Sequence, residues 1–192
     1  IYFSGEGTTY NGEKVLLPYD ANSNNSMTFF PLKDLYEDLS RIQTMSEVGN
    51  ITLFMDVDFN NPAFEQNIVK KSAMVDDKKR KKKKKKMKQP QEPIVFLPKE
   101  LMPPAPITVF FASDINQLAY EHPDHESSMF TYFLLKGLKG EADNGDKIVT
   151  VSELHNYVMK NVEDTTKTLY KDLPQKPLLY TSNPDRVLYK LP

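Results

Sequence analysis

The spacing of apolar side chains predicts buried strands in this chain. Two runs, 51–57 and 107–112, are almost continuously apolar, which is typical of strands covered on both faces in a parallel sheet. The apolar segment 1–3 predicts the end of another buried strand, which we expect Ser4 to stop before a loop over 5–12. The chain is therefore expected to build its core around a sheet.

Three segments have the three- and four-residue spacing of an amphipathic helix. They are residues 31–42, 129–139 and 149–158, and we expect Ser152 to cap the third. A further short strand is predicted over 15–17. Buried strands that alternate with such helices predict an α/β fold, a three-layer α/β/α sandwich with a mostly parallel sheet.

Charge is unevenly distributed along the chain. The net charge is -1, yet residues 70–88 hold 12 of the 25 basic residues and 2 of the 26 acidic ones. The remainder has 13 basic and 24 acidic residues, a net charge of -11. This basic stretch cannot bury enough apolar surface to order itself. We therefore predict a first part over 1–69, a Lys-rich disordered linker over 70–92 and a second part over 93–192, with a short strand at 94–97.

The six consecutive lysines of the linker have two interpretations. They could contact nucleic acid or another acidic surface, although the absence of interleaved aromatic residues limits such contact to phosphates. They could equally form a passive, solvated loop. The residues concerned are Lys81, Lys82, Lys83, Lys84, Lys85 and Lys86.

The composition excludes several kinds of chemistry and location. None of the 192 residues is cysteine, so this chain has no disulfide, no thiolate-bound zinc and no thiol nucleophile. No apolar run approaches the ~20 residues of a membrane-spanning helix. No signal peptide is recognisable, and a cytoplasmic location is favoured although the sequence does not fix the compartment.

Several short motifs occur in an order and spacing that point to one family. Residues 2–7 and 16–21 are similar to a strand that ends in Ser-Gly-His-Gly and is followed by Leu-Pro-Tyr-Asp. Residues 53–60 look like a strand end of the form Asp-x-Cys-Phe-Ser. Further matching segments are 111–113, 116–121, 129–140, 142–146, 149–154 and 175–177. Together they resemble the caspase-like peptidases, especially the metacaspase branch. The resemblance implies a caspase-like sandwich whose first strands lie outside this chain, before Ile1.

This resemblance places Glu6 where the family has its catalytic histidine and Asp58 where it has its catalytic cysteine. A carboxylate is a far poorer nucleophile than a thiolate, and Glu6 cannot replace an imidazole near neutral pH. We therefore expect a pseudoprotease with no catalytic residue and no cofactor. An alternative is a carboxylate- or metal-based hydrolase at these two positions. We expect no metal, because two carboxylates are too few for a cation that takes ~6–8 oxygens.

The resemblance also implies a remnant specificity pocket. In family members that cleave after Arg or Lys, the position of Asp56 lines the primary pocket, so a basic side chain could still bind here. The alternative is that Asp56 caps a strand end by hydrogen bonding. A calcium loop ending at Glu153 is not expected, because Ala142 and Lys147 stand where a ligand and a glycine are needed.

The predicted function is that of a protein-binding or scaffold module in a larger assembly. The expected partners are other protein subunits, namely the remainder of a longer chain or a caspase-like partner that meets an edge of the sheet. Nucleic acid and acidic surfaces are expected only through the Lys-rich segment, and no membrane span is expected. An electrostatic adaptor that acts through this segment remains a further alternative.

Overall fold

A computed structural model describes residues 1–46, 48–59, 101–103, 107–114, 117–171 and 173–192. The predicted linker over 70–92 with its lysine run, and the short strand predicted at 94–97, lie outside the described residues. The division into two parts and a linker therefore stays a prediction. Within the described residues, no helix is long and apolar enough to cross a membrane.

A six-stranded mixed sheet forms the centre of the fold, in the order β3-β2-β1-β4-β5-β7. Strands β1, β4 and β5 are parallel, while antiparallel strands flank them on both sides. A separate antiparallel pair is formed by β6 and β8. The strands are β1 (Tyr2–Tyr10), β2 (Glu13–Leu17), β3 (Phe30–Pro31), β4 (Thr52–Asp58), β5 (Thr108–Phe111), β6 (Ile148–Thr150), β7 (Leu178–Tyr180) and β8 (Val187–Lys190).

Helices cover both faces of this sheet. They are α1 (Leu32–Met45), α2 (Met129–Lys136) and α3 (Val151–Tyr170). Side chains alternate along β4 and β5: Met55 and Phe111 point into a core with α1, whereas Phe54 and Phe110 pack with α2 and α3. The predicted α/β/α sandwich around a central parallel sheet is confirmed.

The prediction that the first strand stops at Ser4 is wrong. Strand β1 continues to Tyr10, because its first half pairs with β4 and its second half pairs with β2. A tight hairpin turn at Asn11-Gly12 then reverses the chain, with φ values of 52° and 83°. Asn-Gly is the favoured sequence for such a turn. The loop predicted over 5–12 therefore already contained the dipeptide that indicates a hairpin.

The third helix begins at Val151, two residues after the predicted start at 149, and extends to Tyr170, beyond the predicted end at 158. Thr150, not Ser152, is its N-cap, and Thr150 and Glu153 form a reciprocal capping box. The second predicted helix also ends earlier, at Lys136, and continues as a π-helical segment (Gly137–Glu141). A Cβ atom at Gly137 would lie 2.6 Å from Leu154 Cδ1, so the absence of a side chain allows this segment to pack against α3.

Candidate functional site

A cleft of about 570 Å³ opens where β4 ends, beside the first half of β1 and the start of α2. Register explains how the sequence builds it: Ser4 lies opposite Asp56, and Glu6 lies opposite Asp58. Because side chains alternate along a strand, these four residues share one face of the sheet, and all four line the cleft. Neighbouring strands are ~4.8 Å apart, so Glu6 and Asp58 lie side by side.

Gly7 explains why β1 fits closely against the core next to Glu6. A Cβ atom at this position would lie 2.6 Å from Phe59 Cδ1 and 2.9 Å from Val57 Cγ1, which leaves no room for a side chain. Glycine therefore lets the opposite face of β1 pack against these residues while Glu6 faces the cleft.

Asp56 is the buried carboxylate of the cleft, with only 6% of its surface exposed. Its Oδ2 atom accepts hydrogen bonds from Ser128 Oγ at 2.5 Å, Thr131 Oγ1 at 2.6 Å and the Tyr2 hydroxyl at 3.2 Å. Since Thr131 gives its only hydroxyl proton to Asp56, the single hydroxyl proton of Tyr2 is shared between Thr131 Oγ1, at 2.7 Å, and Asp56 Oδ2. The two short hydrogen bonds from Ser128 and Thr131 are typical of hydroxyl groups that donate to an ionised carboxylate.

The alternative that Asp56 caps a strand end does not match this arrangement. Asp56 lies inside β4, and its donors belong to β1 and α2. Ser128 is itself the N-cap of α2, where its Oγ accepts a hydrogen bond from the Thr131 amide at 2.9 Å. The start of α2 is therefore coupled to Asp56 by one hydroxyl.

The cleft is strongly acidic. Five carboxylates line it, and no Lys or Arg is found among the described lining residues. A concave surface lined by charges of one sign focuses the electrostatic potential, which favours cationic groups. The five residues are Glu6, Asp56, Asp58, Glu121 and Glu126. Sequence reasoning identified the first three but missed Glu121 and Glu126, because only the fold brings their loop to the strand ends.

A buried glutamine holds the loop that forms the far wall of the cleft. Gln175 Nε2 donates to the carbonyl of Ala112 at 2.8 Å, and its Oε1 accepts from the Tyr120 amide at 2.9 Å. Beside it, the Lys176 amide donates to Gln117 Oε1 at 2.7 Å. These bonds tie the chain after β5 to the segment before β7, and so fix the residues that lead into the wall.

None of the three histidines is among the described residues that line the cleft. His155 lies on α3, where its ring packs near Phe110 and its Nε2 donates to the carbonyl of Pro177 at 3.3 Å. Burial lowers the pKa of His155 below its ordinary value. His122 and His125 lie in the loop over 121–128, on the side that contacts Tyr132 of α2.

The described residues contain no group of three or more His, Asp or Glu side chains arranged to hold a metal ion. The acidic turn after α2 uses its carboxylates locally: Asp143 accepts from the Lys147 amide at 3.0 Å, and Asp146 accepts from the Ile148 amide at 2.8 Å. Glu153 is engaged in the capping box of α3. The carboxylates of this turn therefore form local hydrogen bonds that stabilise the turn and the start of the next elements.

Comparison with known families agrees with this fold. A family model described as the caspase domain matches residues 1–189. The chain therefore belongs to the caspase domain family. No curated protein is similar enough to this chain to be matched.

Proposed function

We propose that this chain is a catalytically inactive caspase-like domain that binds other proteins and does not cut them. The observation that supports this most directly is the pairing of Glu6, in the middle of β1, with Asp58 at the end of β4. By the family resemblance, these are the positions of the catalytic histidine and cysteine. Family chemistry needs a thiolate nucleophile and an imidazole that activates it, and two carboxylates offer neither.

Other residues of the chain do not replace the missing pair. No cysteine occurs in the 192 residues. The ring of His155 is engaged with Pro177 on the far side of β5, and His122 and His125 pack against Tyr132. As the nucleophile itself, a carboxylate attacks a peptide carbonyl far less readily than a thiolate does.

The cleft is proposed to bind a basic side chain of the partner. Asp56 lines the cleft, and its hydroxyl donors all converge on Oδ2, which leaves the second oxygen as an acceptor for a ligand. A guanidinium or ammonium group that entered would meet Asp56 at the bottom and the other carboxylates around the opening. A charge-assisted hydrogen bond of this kind contributes about 1.5–3 kcal/mol.

The partner is proposed to approach along the open side of β1. Residues 2–5 pair with β4 on one side, and none of the described strands pairs with them on the other, since β2 begins pairing at Glu6. Ile1 is 62% exposed and Tyr2 is 49% exposed at this edge. Unpaired strand edges readily accept a further strand, which another subunit or the remainder of a longer chain would provide.

The adjacency of Glu6 and Asp58 also supports a second candidate, a hydrolase with carboxylate chemistry. Two neighbouring carboxylates can share one proton and so act as an acid and a base. Their register positions make such sharing geometrically accessible. The adaptor that would act through Lys81–Lys86 lies outside the described residues and is tested by deleting 78–88 and comparing partner retention at several salt concentrations.

Activity measurements separate the first two candidates. The purified chain is incubated with fluorogenic peptides that end in Arg or Lys, with and without Ca²⁺. The pseudoprotease predicts no turnover above buffer in the wild type. Turnover that is lost in Asp58→Ala or Glu6→Ala, but retained in Ser152→Ala on α3, would establish the hydrolase and reject the pseudoprotease.

A further inference from the structure

The wall loop, which we define as residues 121–128, is closed by a hydrogen bond to a histidine ring. The Asp124 amide donates to His122 Nδ1 at 3.2 Å. The His122 amide in turn donates to the Ser127 carbonyl at 2.9 Å, so both ends of the loop meet. Only a ring nitrogen without a proton can accept a hydrogen bond. This hydrogen bond therefore requires neutral His122 with its proton on Nε2, whereas the backbone hydrogen bonds of the loop do not depend on the ring.

The surroundings of His122 oppose a positive charge. Burial lowers the pKa of His122 below its ordinary value of 6.5, nearby His125 lowers it further, and Asp124 acts in the opposite direction. The ring centroids of His122 and His125 are 4.5 Å apart, and Tyr132 lies 4.2 Å from His122. The charged or titratable groups on the loop and on the adjoining helix α2 are Glu121, Asp124, His125, Glu126, Tyr132 and Lys136.

His125 is less suited to this role. Its ring stacks on Tyr132 at 4.3 Å with an interplanar angle of 16°. Among the described residues no hydrogen bond to a His125 ring nitrogen is seen, whereas the Asp124 amide donates to His122 Nδ1.

The wall loop is connected to the bottom of the cleft. Glu121, Glu126 and Ser128 line the cleft, and Ser128 donates to Asp56 at 2.5 Å. The loop is anchored behind Ser128 by the Met129 amide, which donates to the Tyr120 carbonyl at 2.7 Å. A change in the loop between these anchors moves two carboxylates at the opening of the cleft.

We propose that His122 is a pH-sensitive latch of the wall loop. Above its pKa the neutral ring accepts the Asp124 amide and holds the turn at Asp124. As the pH falls below about 6.5, a proton from solvent occupies the Nδ1 lone pair, the hydrogen bond is lost and the turn at Asp124 loosens within the backbone-bonded loop. The proposal rests on the geometry of the loop and is independent of whether the domain cleaves peptides.

Amide hydrogen exchange tests the latch directly. The protection factor of the Asp124 amide, corrected for the intrinsic exchange rate, is measured between pH 5 and pH 8. We expect it to fall by about fivefold at the acidic end, as for the loss of one net hydrogen bond. The amide of Leu154 in α3 is the internal reference, and its protection should stay constant if only the turn loosens. A constant protection factor at Asp124 overturns the proposal.

His122→Asn is the matched variant. An asparagine oxygen can accept the amide two residues ahead, as in an Asx turn, and it does not titrate. We expect Asp124 in this variant to be protected to the same extent at pH 5 and pH 8. A pH-dependent loss equal to that of the wild type would assign the effect to another group. As a second readout, nitrogen chemical shifts at pH 8 should show the proton of the His122 ring on Nε2, and a proton on Nδ1 contradicts the latch.

Discussion

Replacing Thr8 with valine is expected to stabilise the fold, because a buried hydroxyl would be removed. Thr8 lies on β1 two residues after Glu6, is fully buried, and its Oγ1 has no hydrogen-bond partner in the described part of the chain. An unpaired buried polar group costs about 1–3 kcal/mol, and valine keeps the same shape. We expect the free energy of unfolding to rise by about 1 kcal/mol.

Thr166 provides the matched control. It is also fully buried, but its hydroxyl donates to the Val162 carbonyl at 2.8 Å and accepts from the Gln175 amide at 3.1 Å. Thr166→Val leaves buried groups unpaired and should lower the free energy of unfolding by about 1–3 kcal/mol. Urea denaturation monitored by far-UV circular dichroism measures both variants, and with a slope of ~2 kcal/mol/M the Thr8→Val midpoint should rise by roughly 0.5 M. If Thr8→Val is destabilised like Thr166→Val, the Thr8 hydroxyl has a partner and the reasoning is refuted.

Two further predictions concern packing and pH. Gly7→Ala should lower the free energy of unfolding by about 1–3 kcal/mol, because its Cβ would clash with Phe59. Gly49→Ala should leave the free energy of unfolding unchanged or raise it by up to ~1 kcal/mol, because a Cβ there meets nothing within 4 Å. Equal thermal shifts of both variants would contradict the close packing at β1. Because burial lowers the pKa of His155, its contribution to stability is complete above pH 6.5 and is lost as the pH falls below that value. The stability difference between wild type and His155→Gln should therefore change between pH 7.5 and pH 5.5 in urea titrations, and a constant difference would contradict this assignment.

The sequence predicted the layers of the fold well, because they depend on local patterns. The apolar runs at β4 and β5 and the spacing in α1 are visible without tertiary information. The extent of β1 was missed, since its glycines weaken any strand signal and its pairing with both β2 and β4 is a tertiary property. The capping residue of α3 was missed by two positions, although the Thr150–Glu153 spacing of a capping box was present in the sequence.

The site was predicted in part for a similar reason. Asp56 and Asp58 lie in the last part of a buried strand, and the family resemblance pairs them with Glu6. Two of the hydroxyl donors, Ser128 and Thr131, and the additional acidic residues come from the wall loop and the start of α2, about 70 residues later in the chain. Only the packing of α2 on the sheet brings them to Asp56, with Ser128 as the one residue that a helix-cap pattern could have indicated.

The central claim is that the cleft binds a basic side chain without cutting the peptide that carries it. Fluorescence anisotropy with a labelled peptide that carries Arg at an internal position, compared with the same peptide carrying neutral citrulline there, measures the binding. Mass spectrometry of the recovered peptide shows whether the peptide bond after Arg has been cut. We predict at least about tenfold weaker binding of the citrulline peptide, loss of this difference in Asp56→Asn, and an intact peptide throughout. Equal affinity for both peptides would contradict the proposed binding, and a peptide cleaved by the wild type but not by Asp58→Ala would contradict the absence of catalysis.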